Sequence, residues 1–142
     1  MEPQRALISA DALEATVPIA GHVVHMPSHI YVRVGQYAKA IDSNVRSQRV
    51  DQEFARFWGD KPLPNLGTYP LSHKIHAGHA LDFVRYAATV QGNYKTAIEA
   101  AWTMSERIQG DASRARGGQK RVAASWLVLK IFGKWDELIA LD

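Results

Sequence analysis

The chain has 142 residues, six histidines, no cysteine and a formal net charge of +3, a size that suits one domain. Its 46% hydrophobic and 22% charged residues are ordinary for a globular protein. Without cysteine, disulfides and thiolate metal sites are excluded, so any metal must be held by nitrogen and oxygen ligands.

In chain order, the first informative run is Gly21-His-Val-Val-His-Met-Pro-Ser-His29. On a helix, offsets of three and seven fall within about 60° of each other, so His22, His25 and His29 share one face. The helical stretch runs from about residue 20 to 34. Pro27 lies inside it, where the missing amide donor bends a helix. The apolar flanks favour a kinked continuous helix over a new helix starting at Pro27.

Gly35-Gln-Tyr-Ala-Lys-Ala-Ile41 follows, and its pattern returns as Gly92-Asn-Tyr-Lys-Thr-Ala-Ile98 and Gly133-Lys-Trp-Asp-Glu-Leu-Ile139. Each reads as a helix ended by glycine in a left-handed cap, then a second helix. The aromatic and the isoleucine, spaced i and i+4, should lie on that helix's buried face. The other pre-turn helices span about 71–91 and 118–132. The expectation is an all-α fold of antiparallel helical hairpins stacked as a short α-solenoid. We read residues 1–142 as one helical-repeat domain, with hairpins at about 20–51, 71–109 and 118–142.

Residues 52–70, rich in proline and glycine from Gly59 onward, read as an insertion carrying Phe57 and Trp58. Its expected task is to anchor the loop to the scaffold. The second histidine cluster, His73, His76 and His79, opens the next helix. Arg114, Arg116, Lys120 and Arg121 lack aromatic neighbours, so that stretch reads as solvated rather than as a nucleic-acid surface. Trp102, Trp126 and Trp135 read as core or repeat-interface residues.

The glycine turns resemble the tetratricopeptide repeat, with Ala40 and Ala97 at its small position and Leu138 departing from it. The glycines are 57 and 41 residues apart, against a repeat period of about 34, so insertions separate the hairpins. His22-Val-Val-His-Met-Pro-Ser-His-Ile-Tyr-Val-Arg-Val-Gly-Gln-Tyr37, with Ala40, Ile41 and Asn44, resembles a histidine-rich group of bacterial repeat proteins. Tyr69-Pro70-Leu71, His76 and His79 extend that resemblance, which covers roughly residues 5–105. Ala77 stands where the group would carry asparagine, and His73 where it would carry an aromatic. Chains of the group look longer, with a further histidine-bearing helix upstream, so this one reads as a shortened form.

The resemblance implies that repeat positions 2, 5 and 9 line a concave groove. Counting back from the glycines gives those positions to His22, His25 and His29, then to His79, Asp82 and Tyr86. His76 lies one turn before His79. Tyr31 falls at a packing position and Arg33 at the groove edge, while Tyr86 and His73 join the groove lining.

Convergent imidazoles suit zinc, copper, iron or nickel. The expected ligands are His22, His25, His29, His76, His79 and Asp82, with Asp82 either ligating or orienting a ligand. Zinc is the first choice because imidazole and carboxylate ligation suits it without a redox partner. Copper, with Met26 nearby, is second.

The function expected is a histidine-lined groove that binds a divalent transition metal and a peptide, small molecule or partner protein. A small metal-dependent hydrolase or oxidase is one alternative, and a metal-free peptide-binding scaffold is the other. No nucleophile elbow, P-loop, dinucleotide fingerprint or His-Glu-x-x-His motif occurs. A short solenoid exposes an apolar terminal face, which predicts a homodimer. No apolar run approaches the roughly 18 residues of a membrane helix, and no signal peptide opens the chain. Neither membrane nor nucleic acid is expected as a partner, and the expected location is cytoplasmic.

Overall fold

The computed structural model describes residues 2–59, 65–66, 69–70, 73–106 and 118–141, with the backbone alone at 65–66, 69–70, 73–77 and 118. These residues are helical apart from short connections and a two-residue antiparallel ladder pairing Asn65 with Pro70 and Leu66 with Tyr69. The helices are α1 (Leu7–Thr16), α2 (Gly21–His25), α3 (Ser28–Arg33), α4 (Tyr37–Trp58), α5 (His73–Val90), α6 (Tyr94–Glu106), α7 (Gly118–Ile131) and α8 (Trp135–Ile139). Their contacts fall into two compact units, Met1–Ala80 and Leu81–Asp142, and α5 runs across the boundary.

The three glycine turns close in the same way. Gly35, Gly92 and Gly133 have φ of 77°, 77° and 67°. The residue after each glycine donates its amide five residues back: Gln36 to the Tyr31 carbonyl, Asn93 to Ala88 and Lys134 to Leu129, at 2.8, 2.8 and 2.9 Å. Each glycine amide donates three residues back, to Val32, Thr89 and Lys130. This is the Schellman closure, which satisfies carbonyls that a helix end leaves orphaned. A Cβ on Gly35 or Gly92 would meet nothing within 4 Å. Glycine is needed there for its backbone conformation and not for space.

In the first unit, α4 packs back against α2 and α3, and α1 covers the same pair. Helix α1 was missed by the sequence reading, which began the ordered repeat near residue 20. Its signal is modest: Pro3 sits at the first position of a 3-10 turn, and no glycine or proline interrupts residues 4–17. Polar ties hold α1 in place. The Tyr31 hydroxyl donates to Asp11 Oδ1 at 2.8 Å, and Lys39 Nζ donates to the same oxygen at 3.0 Å. Arg46 pairs with Glu14 and, one turn back on its own helix, with Asp42. The Tyr31 ring is buried, as its repeat position predicted.

Pro27 divides the first histidine helix into α2 and α3, yet Met26 and Pro27 keep right-handed helical dihedrals. The backbone therefore continues through the break while the hydrogen-bond ladder is interrupted. Pro27 has no amide to offer Val23; Met26 reaches the Val23 carbonyl instead, at 3.3 Å. The neighbouring Val24 carbonyl takes the Ser43 hydroxyl of α4 at 2.6 Å. A proline break is thus mended from the facing helix.

Helix α4 runs seven residues past its expected end at 51, so Phe57 and Trp58 belong to its last turn and not to an insertion loop. Residues 52–58 contain no glycine or proline, and the helix stops where Gly59 turns to φ 67°. Trp58 stacks on Phe54 at 5.6 Å between ring centroids, while Phe57 is exposed.

In the second unit α6 packs on α7, and α8 on α7. The interior is built largely from alanine (Ala87, Ala88, Ala97, Ala100, Ala101, Ala124), with Val84, Met104, Val128 and Leu129. Trp102, Trp126 and Trp135, expected in the core or at repeat interfaces, are exposed and so lie outside the core. The repeat aromatics also differ: Tyr37 and Tyr94 are half-buried with Ile41 and Ile98, whereas Trp135 and Ile139 of the five-residue α8 are exposed. Tyr94 packs edge-on against Phe132 at 5.3 Å and donates to Glu137 at 2.8 Å. Among the described residues no helix is long and apolar enough to cross a membrane.

Candidate metal centre

Helix α4 supplies the floor of the site. Asn44 and Ser47, with Ala40 and Asp51, recur at offsets of four, seven and eleven, one face of a helix. Ser43 adjoins that face, and Ala40, Ser43, Asn44 and Ser47 are all fully buried. The small hydroxyls let α2 approach closely: Ser47 Oγ donates to the Gly21 carbonyl at 2.8 Å. Gly21 has no room for a side chain, since a Cβ there would lie 2.0 Å from Asp51 Oδ1 and 2.9 Å from the Ser47 carbonyl.

On that floor His25 of α2 is completely buried. Its Nδ1 lies 2.6 Å from Asn44 Oδ1 and, more distantly, 3.4 Å from Ser28 Oγ. Its Nε2 lies 3.0 Å from Nε2 of His29, one turn on in α3. The His79 ring of α5 closes on both, with centroids 4.7 Å from His25 and 6.0 Å from His29. His25, His29 and His79 each present a ring nitrogen within 4.8 Å of the others. Burial falls along the trio: His25 is enclosed, His29 half-buried and His79 exposed. This group could hold a metal ion.

The spacing fits such a role. Nitrogens sharing a tetrahedral ion at about 2.0–2.1 Å stand about 3.3 Å apart, close to the 3.0 Å between His25 and His29. Without an ion, two lone pairs at that distance would repel, so one imidazole donates its N–H to the other. A metal would replace that proton. Burial, then the charges of His22 and Arg33, holds the His29 pKa below its usual value. Both effects favour the neutral, ligating form.

Of the other expected site residues, those with described side chains stand outside this trio. His22 is exposed, with its ring centroid 6.0 Å from that of His25, and lies outside the converging trio. The side chains of His73 and His76 lie outside the described residues; the backbone places both on α5. The carboxylate of Asp82 is engaged: Oδ1 accepts from Arg85 at 2.9 and 2.7 Å, and Oδ2 from Lys120 at 2.5 Å. Burial alone would raise its pKa, but hydrogen bonds from Lys120 and Arg85 outweigh that and hold it low. Arg33 and Tyr86 are exposed, and Met26 is exposed at the α2–α3 junction.

The sequence reading gave no site role to Asn44, Ser28, Ser43 or Ser47. A signal existed in the α4 periodicity, where positions due to be apolar are asparagine and serine. No protein-family model, no curated protein and no solved structure matches the chain.

Proposed function

We propose that the chain is a helical-repeat protein of the tetratricopeptide-like, solenoid kind. In this reading its histidine-lined groove binds one divalent transition metal through His25, His29 and His79. The observation that carries the reading is three histidines whose ring nitrogens lie within 4.8 Å of one another, with the deepest ring hydrogen-bonded from behind. The three matching Schellman turns support the repeat architecture.

Zinc is the metal we favour. An all-imidazole set suits it, and zinc needs no redox partner. Copper binds nitrogen ligands more tightly by intrinsic affinity, so a preference for zinc rests on coordination geometry and metal availability rather than on tightness. Three protein nitrogens leave a coordination position for water or a ligand, as in catalytic zinc sites. The exposure of His79 supports an opening toward solvent on that side. The same opening supports a second reading, a metal-dependent hydrolase, in which the bound water is the nucleophile.

Untagged protein should take up one zinc per chain in competition with a chromophoric chelator. His25→Ala, His29→Ala and His79→Ala should each weaken binding by more than about 100-fold, beyond the 10–100-fold effect of an outer-shell change. His76→Ala reports whether a fourth imidazole joins. Absence of uptake after loading with zinc or copper would sink the reading and leave a hydrogen-bonded histidine network in its place.

A further inference from the structure

Two hydrogen bonds to one amide decide which nitrogen of His25 carries its proton. Asn44 is fully buried on α4, and its Nδ2 donates to the Ala40 carbonyl at 2.7 Å. A carbonyl can only accept, so this end of the amide must be the NH2 group. The oxygen end then faces His25 Nδ1 at 2.6 Å. Oxygen also can only accept, so Nδ1 carries the hydrogen. Turning the amide over would press Oδ1 against the Ala40 oxygen, two buried acceptors in contact with no proton between them. Ser28 Oγ, at 3.4 Å from the same Nδ1, is the weaker of its two contacts.

The consequence lies at the opposite edge of the ring. In neutral imidazole one nitrogen donates and the other offers a lone pair. Histidine in water favours the form protonated at Nε2, which would put a hydrogen where an ion has to sit. With Nδ1 protonated instead, the lone pair is on Nε2, the atom 3.0 Å from His29 Nε2.

We propose that Asn44 is the positioning residue of the metal centre: anchored by the Ala40 carbonyl, its side-chain oxygen locks His25 in the Nδ1–H tautomer and aims the Nε2 lone pair at His29 and His79. The proposal rests on the metal-binding reading for its purpose, but the tautomer lock exists in the metal-free chain and is measurable there. It fits the general pattern in which a ligating histidine is fixed by the acceptor on its other nitrogen.

Long-range 1H–15N NMR on the metal-free, untagged protein at neutral pH reads the tautomer directly. His25 should show a protonated Nδ1 and a bare Nε2. Asn44→Ala should move His25 toward the Nε2–H form and lower zinc affinity about 10- to 100-fold. Asn44→Asp, which still offers an oxygen to Nδ1 and, protonated on its other oxygen, donates to the Ala40 carbonyl in place of the NH2 group, should keep the tautomer and restore affinity to within about tenfold of the parent. If Asn44→Ala does not fold, the tautomer of the parent and the behaviour of Asn44→Asp carry the test. A parent His25 protonated at Nε2 would overturn the proposal, as would an Asn44→Ala protein with unchanged tautomer and affinity. Failure of zinc uptake with the tautomer still controlled by Asn44 would uphold the lock and refute only the metal reading.

Discussion

The two units use the same glycine turn but have unlike interiors. Among the described residues of 81–142 the buried side chains are mostly alanine, valine, leucine and methionine, and the polar exceptions are satisfied within a helical turn. Arg85 is held by Asp82, and Ser125 reaches the Val122 carbonyl at 3.4 Å. In residues 1–80 the space under α2 is filled by Ser28, Ser43, Asn44, Ser47 and His25, all fully buried. Burying polar groups costs free energy unless each finds a partner, and these reach across from one helix to another. Apolar residues would have packed α4 against α2 more simply. The difference teaches that the polar interior gathered under His25 sets the first unit apart, whereas the shared turn reports only the scaffold.

The comparison is broken most forcefully by emptying the apolar interior. Met104→Ala removes the largest fully buried side chain among the described residues and should cost about 2–5 kcal/mol of stability. It should leave zinc stoichiometry unchanged, because the proposed ligands all belong to residues 1–80. Denaturant melts paired with metal titration test this. Loss of zinc binding in a protein that remains folded would show that the two regions are not functionally distinct.

A smaller, matched effect is expected at the turns. Gly35→Ala and Gly92→Ala each force an L-residue to φ near 77°, a cost of about 1–2 kcal/mol. Since neither added Cβ meets a neighbour, the two penalties should agree, and unequal costs would show that the turns are not equivalent.

The least effect concerns pH. Asp82, with its pKa held below the ordinary 3.8, binds a proton less readily folded than unfolded. Its contribution is therefore full above pH 3.8 and declines as pH falls through the lower folded value. Asp11, held low by the Tyr31 hydroxyl and then Lys39, has the same sign in the other unit. Asp82→Asn should lower stability modestly near neutrality and flatten part of the acid limb of a stability–pH curve, the difference from the parent shrinking as pH falls below 3.8. An unaltered acid limb would remove the ion-pair cluster from the account.

Glycine, which alone tolerates left-handed backbone freely, made the turns legible in the sequence. The register counted back from Gly35 and Gly92 put His22, His25 and His29, then His79, Asp82 and Tyr86, on groove positions; of these six, His25, His29 and His79 bring ring nitrogens within 4.8 Å of one another. The helix end at Trp58 was misread because the proline-rich segment beyond Gly59 drew the boundary too early. Aromatic size suggests a place in the core for Trp102, Trp126 and Trp135, one of the two places expected, but the buried positions beside them are filled largely by alanine. Asn44 was hidden for a different reason. Its amide nitrogen meets the Ala40 carbonyl within α4 itself, but its oxygen meets His25 only when α4 packs against α2.

X-ray absorption at the zinc edge of the loaded, untagged protein tests the central claim most directly. The account predicts three imidazole nitrogens at about 2.0–2.1 Å, with light-atom ligands completing the shell and the imidazole count falling by one in His79→Ala. A shell with one imidazole or none, or one unchanged in that variant, would contradict it.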